Sequence, residues 1–128
     1  MKPNKTAPRA KAAKPLPPFV SHCLALLLPL GPVVPRRMFG GWGLFLDGVM
    51  IALIARDRLY FKADEQTAGR FAAAGAEAFT YQRRSDQGRS RPVALSYWRA
   101  PEGSLEDPPE ALRWGELAVA AARRCRNR

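Results

Sequence analysis

Residues 36–62 read RRMFGGWGLFLDGVMIALIARDRLYFK, and this stretch decides the fold. Asp47-Gly48 is a strong two-residue hairpin signal, because both central positions of such a turn take positive φ. Arg56-Asp57 provides a second turn, between an apolar run and an alternating one. The stretch therefore predicts a three-stranded antiparallel meander with strands over 36–46, 49–55 and 58–62.

The middle strand of this meander, 49–55, is apolar at every position. Such a run is typical of a central strand that is covered on both faces. Glycines at 40, 41 and 43 loosen the first strand, and we expect a bulge or bend there with another backbone close by. The glycine cluster lacks the GK[ST] ending of a phosphate-binding loop, so it does not predict one.

One helix is predicted before the meander in the sequence and another directly after it. The first runs from Pro18 to about residue 28 and is ended by Pro29. The second begins at Asp64, which we expect to be its cap, and stops at Gly75.

The rest of the chain predicts two strands and a final helix. The strands lie over 78–82 and 92–98 and are joined by a polar, cationic loop over 83–91. Asp107 caps the helix, Pro108 is its first residue, and Glu110 completes a capping box. The apolar stripe of this helix is predicted to consist of Trp114, Leu117, Ala118, Ala121 and Cys125. The element order α-β-β-β-α-β-β-α predicts a two-layer α+β fold with an antiparallel five-stranded sheet.

The charge of the chain is concentrated at its ends. The formal net charge is +10, from 21 Lys and Arg against 11 Asp and Glu in 128 residues. Residues 1–16 hold five cations and no acid, the last six residues hold four cations, and 17–122 holds 12 cations against 11 acids. We therefore expect a disordered basic Lys/Ala/Pro tail over 1–16, a domain over 17–124, and a basic end over 125–128.

Basic ends of this kind are the best case for nucleic-acid binding, since lysine and arginine neutralise phosphates and release counterions. The candidate nucleic-acid-binding residues, in the two ends and the 83–91 loop, are Lys2, Lys5, Arg9, Lys11, Lys14, Arg83, Arg84, Arg89, Arg91, Arg123, Arg124, Arg126 and Arg128. A solvated, solubilising charge run is the alternative. The nearly neutral middle argues against a DNA-reading face on the domain itself.

Catalytic and metal-binding chemistry has little support in the sequence. The one histidine, His22, excludes a multi-histidine metal site, and Cys23 and Cys125 form neither a zinc ligand set nor a CxxC pair. His22 and Cys23 also point about 100° apart on a helix, so they do not pair as base and nucleophile. The acids at Asp47, Asp57, Asp64 and Asp107 all fall at turns or caps. We expect no enzyme activity, no metal, no cofactor and no small-molecule substrate.

The N-terminal region has a superficial likeness to a signal peptide, because FVSHCLALLLPL follows a basic start. It lacks a small-x-small cleavage site. The apolar run over 19–30 is interrupted and is shorter than the roughly 20 residues of a membrane span. We expect a cytoplasmic protein with reduced thiols and no membrane partner.

Aromatic residues leave two interpretations open. Phe39 and Trp42 are either core or partner contacts, since both do not turn inward easily from a flexible segment. We predict a protein-contact region where charge and aromatic residues lie together: Arg36, Arg37, Met38, Phe39 and Trp42. Four other aromatic residues lie on predicted strands: Tyr60, Tyr81, Tyr97 and Trp98. They either pack against side chains of neighbouring strands, which is the commoner case, or stack on single-stranded bases.

Three motifs carry a resemblance to a known family. The series RMFGGWGLF at 37–45, DGVM at 47–50 and LYFKAD at 59–64 resembles the TfoX N-terminal domain family, and FTY at 79–81 and LSYW at 95–98 fit as well. The resemblance covers about 19–124. It implies a two-layer α+β domain of the same element order, similar to the secretion-chaperone-like fold.

The resemblance also implies a function. The namesakes of the family regulate natural competence and act with an activator of the cyclic-AMP-receptor type. We therefore expect a TfoX-like, non-enzymatic protein-interaction module that is an accessory regulator of transcription. Its expected partner is a protein, a transcription activator or RNA polymerase. Direct nucleic-acid binding through the basic tails and the 83–91 loop is the alternative.

Overall fold

Six strands form one open antiparallel sheet, with the spatial order β1-β2-β3-β4-β6-β5. The computed structural model describes residues 15–38, 40–84 and 90–127, with only the backbone described over 81–84 and 90–95. The strands are β1 (Val34–Met38), β2 (Gly41–Leu46), β3 (Val49–Ala55), β4 (Arg58–Lys62), β5 (Ala78–Arg84) and β6 (Ser90–Arg99). The helices are α1 (Pro18–Leu27), α2 (Ala68–Ala73) and α3 (Pro108–Arg126), with short 3-10 helices at Leu28–Leu30 and Ser104–Glu106. The predicted α+β class with an antiparallel sheet is confirmed.

The predicted count of five strands is wrong, because the glycine-rich stretch over 36–46 forms two strands. Met38 and Gly41 are paired across a hairpin, and Gly40 has a φ of +75°. Glycine at that position lets the chain reverse where the sequence suggested a bulge or a bend. Close backbone approach is confirmed at Gly41, where a Cβ would run into the Ile54 carbonyl oxygen.

The other two hairpin turns follow the sequence closely. Asp47 and Gly48 have φ values of +53° and +82°, and Arg56 and Asp57 have values of +54° and +60°. Positive φ at both central residues is the geometry that matches the twist of the flanking strands. The strand boundaries predicted for β3 and β4 are confirmed.

The helix α2 begins later than predicted. Its first residue is Ala68, and Asp64 lies in the preceding turn, where its Oδ1 accepts a hydrogen bond from the Gln66 amide at 3.0 Å. This bond is the kind that a capping aspartate makes, and the Ala68 amide donates to the Asp64 carbonyl oxygen at 2.8 Å. Residues 65–67 nevertheless form a turn, so the regular helix starts only at Ala68. Gly75, with a φ of +80°, ends the helix region as predicted.

The helix α3 starts as predicted, and its Asp107 side chain accepts from the Glu110 amide. The Glu110 carboxylate pairs with Arg113, and the Asp107 amide donates to the Ser104 carbonyl oxygen, so the second half of the predicted capping box is not formed.

Of the predicted stripe of α3, Ala118 and Ala121 are buried and Trp114 packs against the core, whereas Leu117 is only half-buried. The buried positions also include Ala111, Gly115 and Ala122. A Cβ at Gly115 would lie 2.8 Å from Leu30 Cδ1. The close approach of the 3-10 helix Leu28–Leu30 therefore favours small residues on this side of α3. The Cys125 side chain is exposed.

The strands β5 and β6 are longer than predicted. They pair as far as Arg84 and Ser90, so Arg83, Arg84 and Arg91 belong to strands, not to a loop. Residues 85–89, which include Arg89, lie outside the described residues.

The helices cover one side of the sheet. Val20, Cys23 and Leu27 of α1, Phe71 of α2, and Ala118 and Ala122 of α3 share one core with Leu44, Ala52, Ile54, Leu59 and Phe61 of the sheet. The prediction that β3 is covered on both sides is wrong: on its other side Met50 and Leu53 stay half-buried and outside this core. Of the helices in the described residues, none combines the length and apolar character that a membrane crossing requires.

Candidate interaction surface

The side of the sheet away from the helices is an extended surface, which we call the open face. Residues that pair across antiparallel strands share a side, and residues alternate along each strand. From the observed register and ring contacts, the open face contains Val34, Arg36, Met38, Gly43, Phe45, Met50, Leu53, Arg58, Tyr60, Lys62, Phe79, Tyr97 and Arg99. It therefore crosses all six strands, and its large residues are apolar or aromatic apart from the cations Arg36, Arg58, Lys62 and Arg99.

The predicted protein-contact residues do not all lie on this face. Arg36 and Met38 lie on it, whereas Arg37 pairs with Trp42 on the side that carries the helices. The Arg37 guanidinium lies 5.5 Å from the Trp42 ring centroid, and Trp42 packs against the core. Phe39 lies outside the described residues. Of the four residues that the structure describes, two contribute to the open face.

At the edge of the open face a cation covers an aromatic ring. The Arg36 guanidinium lies 4.8 Å from the centroid of the Phe45 ring, a cation–π distance. Val34, opposite Phe45 in the register, is 52% exposed. Isolated exposed valines are common, but this one continues an apolar surface.

Two methionines meet over a glycine at the centre of β2. A Cβ at Gly43 would come within 3 Å of Met38 Sδ, Met50 Sδ and the Phe45 ring. The missing side chain therefore makes room for both thioethers beside the ring. Thioethers are flexible and polarisable, and they contact aromatic rings favourably. Phe45 and Met50 were not among the residues predicted from the sequence. Alternation with Leu44 could have placed Phe45 opposite the core, but Met50 shares that side only because the β2–β3 register shifts between Leu44 and Phe45.

Farther along the open face, Tyr60 and Phe79 make a T-shaped contact with ring centroids 4.8 Å apart. Tyr60 pairs with Leu53 on one side and with Arg99 on the other. Trp98, by contrast, stacks on Phe71 of α2, with centroids 6.4 Å apart. Of the four aromatics considered for base stacking, Tyr60 and Tyr97 lie on the open face and Trp98 on the helical side. The Tyr81 side chain lies outside the described residues.

Tyr97 ends this aromatic series next to Lys62. The Lys62 ammonium lies 5.3 Å from the Tyr97 ring centroid and donates a hydrogen bond to Ser96 Oγ at 2.6 Å. Burial, together with the electrostatic effect of Cys125, raises the pKa of Tyr97 to about 12. Tyr97 therefore keeps its phenolic proton and presents a neutral ring to the cation.

The charges of the sheet are of one sign. No strand of the described sheet contains an aspartate or glutamate, and its charged residues are Arg36, Arg37, Arg58, Lys62, Arg83, Arg84, Arg91 and Arg99. The acids of the described chain lie in turns, connections and helices. The strands of a nearly neutral domain are therefore cationic, which the net charge alone conceals.

The C-terminal arginines contact the domain itself. Arg124 donates to both oxygens of Asp64, at 2.6 and 3.1 Å, and Asp64 has a side chain only 7% exposed. The Arg124 guanidinium, with smaller effects from Gln66 and Thr67, lowers the pKa of Asp64 to about 2. Arg123 pairs with the Asp47 carboxylate at 3.6 Å, and Arg126 donates to the Asp47 carbonyl oxygen at 3.1 Å. Three predicted phosphate ligands are thus held by acidic or carbonyl partners.

The side chains of the remaining predicted nucleic-acid-binding residues lie outside the described part of the protein. Lys2, Lys5, Arg9, Lys11, Lys14, Arg89 and Arg128 lie outside the described residues. Arg83, Arg84 and Arg91 are placed by their backbone on β5 and β6, where Arg83 pairs with Arg91.

Groups with catalytic potential occupy structural positions. His22 Nε2 lies 3.2 Å from the Leu105 carbonyl oxygen, and burial raises the pKa of Cys23 to about 12. A cleft of about 550 Å³ near the Arg56-Asp57 turn is bordered by charged side chains of both signs, including Glu77, Glu102 and Arg99. Within the described residues, no three histidine, cysteine or acidic side chains converge as metal ligands.

A comparison with protein-family models finds a match over residues 25–122, to the family described as the TfoX N-terminal domain. The match extends from α1 through most of α3 and includes every strand. None of the curated proteins matches the chain.

Proposed function

The chain belongs to the TfoX N-terminal domain family, and from this premise we propose that it is a non-enzymatic protein-interaction module that assists the regulation of transcription. Membership of the family is consistent with a competence-related regulatory role. The proposed partner is a transcription activator or RNA polymerase. The proposed contact surface is the open face, in place of the wider β1–β2 set predicted from the sequence.

The observation that carries this proposal is the mismatch between the sequence of β3 and its surroundings. Every residue of β3 is apolar, yet the described helices cover only one of its sides. Met50 and Leu53 remain half-buried on the other side, beside Phe45 and Tyr60. An apolar surface that continues across neighbouring strands is typical of a site for another macromolecule.

Reversing one charge on the open face tests the proposal. RNA levels in cells of the source organism would be compared for the wild type, a gene deletion, and the variants Arg36→Glu and Arg70→Glu. Arg36 is exposed on the open face, whereas Arg70 is exposed on α2 in the helical layer. We expect Arg36→Glu to reproduce the transcript changes of the deletion and Arg70→Glu to match the wild type. A normal profile for Arg36→Glu, in protein with unchanged thermal stability, would contradict the proposal.

Nucleic-acid binding through the basic ends is a second candidate, favoured by the acid-free strands. Because Arg124 holds Asp64, a chain cut after residue 122 would lose a contact of the fold. The sharper variant is the full chain with Lys2, Lys5, Lys11 and Lys14 replaced by glutamine. If the N-terminal region carries the affinity, these replacements reduce duplex-DNA binding and flatten its salt dependence in fluorescence anisotropy. Unchanged binding and salt slope would exclude that region as the source.

A further inference from the structure

We propose that the open face binds an acidic amphipathic helix of a partner protein, which lies over β1, β2 and β3 as a third layer. This inference rests on the proposed function, in which the open face is the contact surface, and it adds the chemistry and the shape of the partner. The three strands supply Val34, Arg36, Met38, Gly43, Phe45, Met50 and Leu53.

The dimensions of this patch fit one helix. Neighbouring strands lie about 4.8 Å apart, so the centres of β1 and β3 are separated by about 10 Å. A helix with its side chains is about 10–12 Å across. Val34 and Met38 are four residues apart on one strand, a distance of about 13 Å, which corresponds to roughly nine helical residues.

The charge of the patch selects an acidic partner. Arg36 is exposed, it lies over the Phe45 ring, and no acid occurs in any of the six strands. A guanidinium that is held in place over a ring loses less side-chain entropy when it pairs with a carboxylate. Complementary charge also sets the specificity and the association rate of an interface.

The apolar part of the patch suits a helix with large side chains. Met38 and Met50 meet over Gly43 next to Phe45, so two flexible thioethers lie at the centre of the surface. Methionine-rich surfaces adapt to different apolar side chains on amphipathic helices. We therefore expect leucine or phenylalanine at helical spacing on the partner, with glutamate or aspartate on the flank that meets Arg36.

Three other occupants fit the structure less well. A second copy of the chain would place cationic sheets face to face, without an acid on either. Strand addition at the free edge of β1 is hindered by Pro35, Arg36 and Arg37, because proline and exposed charge are features that block edge pairing. For single-stranded nucleic acid, Arg36 already covers the Phe45 ring, and the methionines and Leu53 offer no face for stacking.

The methionines provide the test. The chain has three, of which Met38 and Met50 lie on the open face and Met1 does not belong to the described residues. The full chain, labelled with ¹³C at the methionine methyl groups, would be titrated with an acetylated, amidated 18-residue helix of leucine on one face and glutamate elsewhere. A scrambled peptide of the same composition and a version with lysine in place of glutamate are the controls.

We expect the acidic helix to shift the Met38 and Met50 methyl signals in a saturable way and to leave Met1 unchanged. Arg36→Glu should weaken this binding by about tenfold, whereas Arg70→Glu should not change it. Met50→Leu assigns the signals and keeps the apolar volume.

Several results would overturn the inference. One is the absence of a Met38 or Met50 methyl shift with the acidic helix, and another is an equal shift with the scrambled or the lysine peptide. A third is a larger shift of the same signals with oligo(dT) or on self-association of the chain. Its failure is distinguishable from that of the proposed function. If Arg36→Glu alters transcripts but the acidic helix does not bind, the function stands and the partner chemistry is wrong. If the helix binds but transcripts do not depend on Arg36, the partner chemistry stands and the proposed function is wrong.

Discussion

Arg124 and Asp64 lie 60 residues apart in the sequence and are joined by two hydrogen bonds, at 2.6 and 3.1 Å. The pair fastens the last turns of α3 to the turn that precedes α2. A planar guanidinium that meets both carboxylate oxygens is among the stronger polar contacts of proteins. The sequence suggests that the C-terminal arginines are available to bind phosphates. Arg124 is instead part of the fold, because its guanidinium is paired with Asp64.

The Asp64–Arg124 pair predicts a pH dependence of stability. The pKa of Asp64 is lowered to about 2 in the folded protein from an ordinary value of 3.8, so the folded state favours the ionised carboxylate. The stabilisation is complete above about pH 5 and is lost as the pH falls from about 4 towards 2. Asp64→Asn should be less stable than the wild type at pH 7, and the difference should shrink over that acidic range. Urea unfolding of both proteins from pH 7 to pH 2 measures it, and a difference independent of pH would contradict this role.

Gly41 and Gly43, two residues apart on β2, predict different losses of stability when a methyl group is added. In Gly41→Ala the Cβ meets the Ile54 carbonyl oxygen, a backbone atom that cannot move aside, so we expect a loss of about 1–3 kcal/mol. In Gly43→Ala the Cβ meets the Sδ atoms of Met38 and Met50, whose flexible side chains can shift, and the edge of the Phe45 ring at 2.9 Å, so we expect a smaller loss, of about 1 kcal/mol.

Chemical denaturation distinguishes the two glycine variants. The Met38 and Met50 methyl NMR signals should shift in Gly43→Ala, because the added Cβ displaces both side chains. Equal destabilisation by both substitutions would show that the packing around these glycines is described incorrectly.

The two cysteines should differ sharply in reactivity. Cys125 is exposed, whereas Cys23 is buried in the core and its pKa is raised to about 12. Because the thiolate is the nucleophile, a disulfide reagent at pH 8 should modify one thiol rapidly in the native protein and the second only on unfolding. Cys125→Ser should abolish the rapid phase. Two thiols that react at the same rate in native protein would contradict the buried position of Cys23.

Phe71 joins the short helix α2 to the sheet and to α3. Its ring centroid lies 4.6 Å from that of Trp114 and 6.4 Å from those of Phe61 and Trp98. Phe71→Ala should lower the free energy of unfolding by about 3–5 kcal/mol, since it empties a fully buried site. The exposed neighbour supplies the control: Arg70→Ala should change stability by no more than about 0.5 kcal/mol. Similar effects of the two substitutions would contradict the central position of Phe71.

Local chemistry explains which parts of the fold could be predicted from the sequence. Asp47-Gly48 and the Asp107 cap act within a few residues, so their neighbours are enough to identify them. The hairpin around Gly40 was missed because glycine permits a bend and a reversal equally, and only the pairing of β1 with β2 decides between them.

The faces of the sheet depend on contacts that are distant in sequence. The apolar run of β3 is compatible with cover on both sides, and the placement of α1 and α3 on one side alone leaves Met50 and Leu53 open. The pairing of Arg124 with Asp64 and the close approach of Leu30 to Gly115 are likewise set by packing. The candidate surface could therefore be predicted at Arg36 and Met38 but not as a continuous face.

Photo-crosslinking from the open face tests the central claim most directly. The photo-reactive residue p-benzoylphenylalanine would replace Val34, which is exposed beside Phe45, or Arg113, which is exposed on α3 as the matched control. We predict that irradiation of cells gives a protease-sensitive adduct with another protein from position 34 and none from position 113, and that Arg36→Glu removes it. No adduct from position 34, an adduct that only nuclease removes, or equal adducts from both positions would contradict the account.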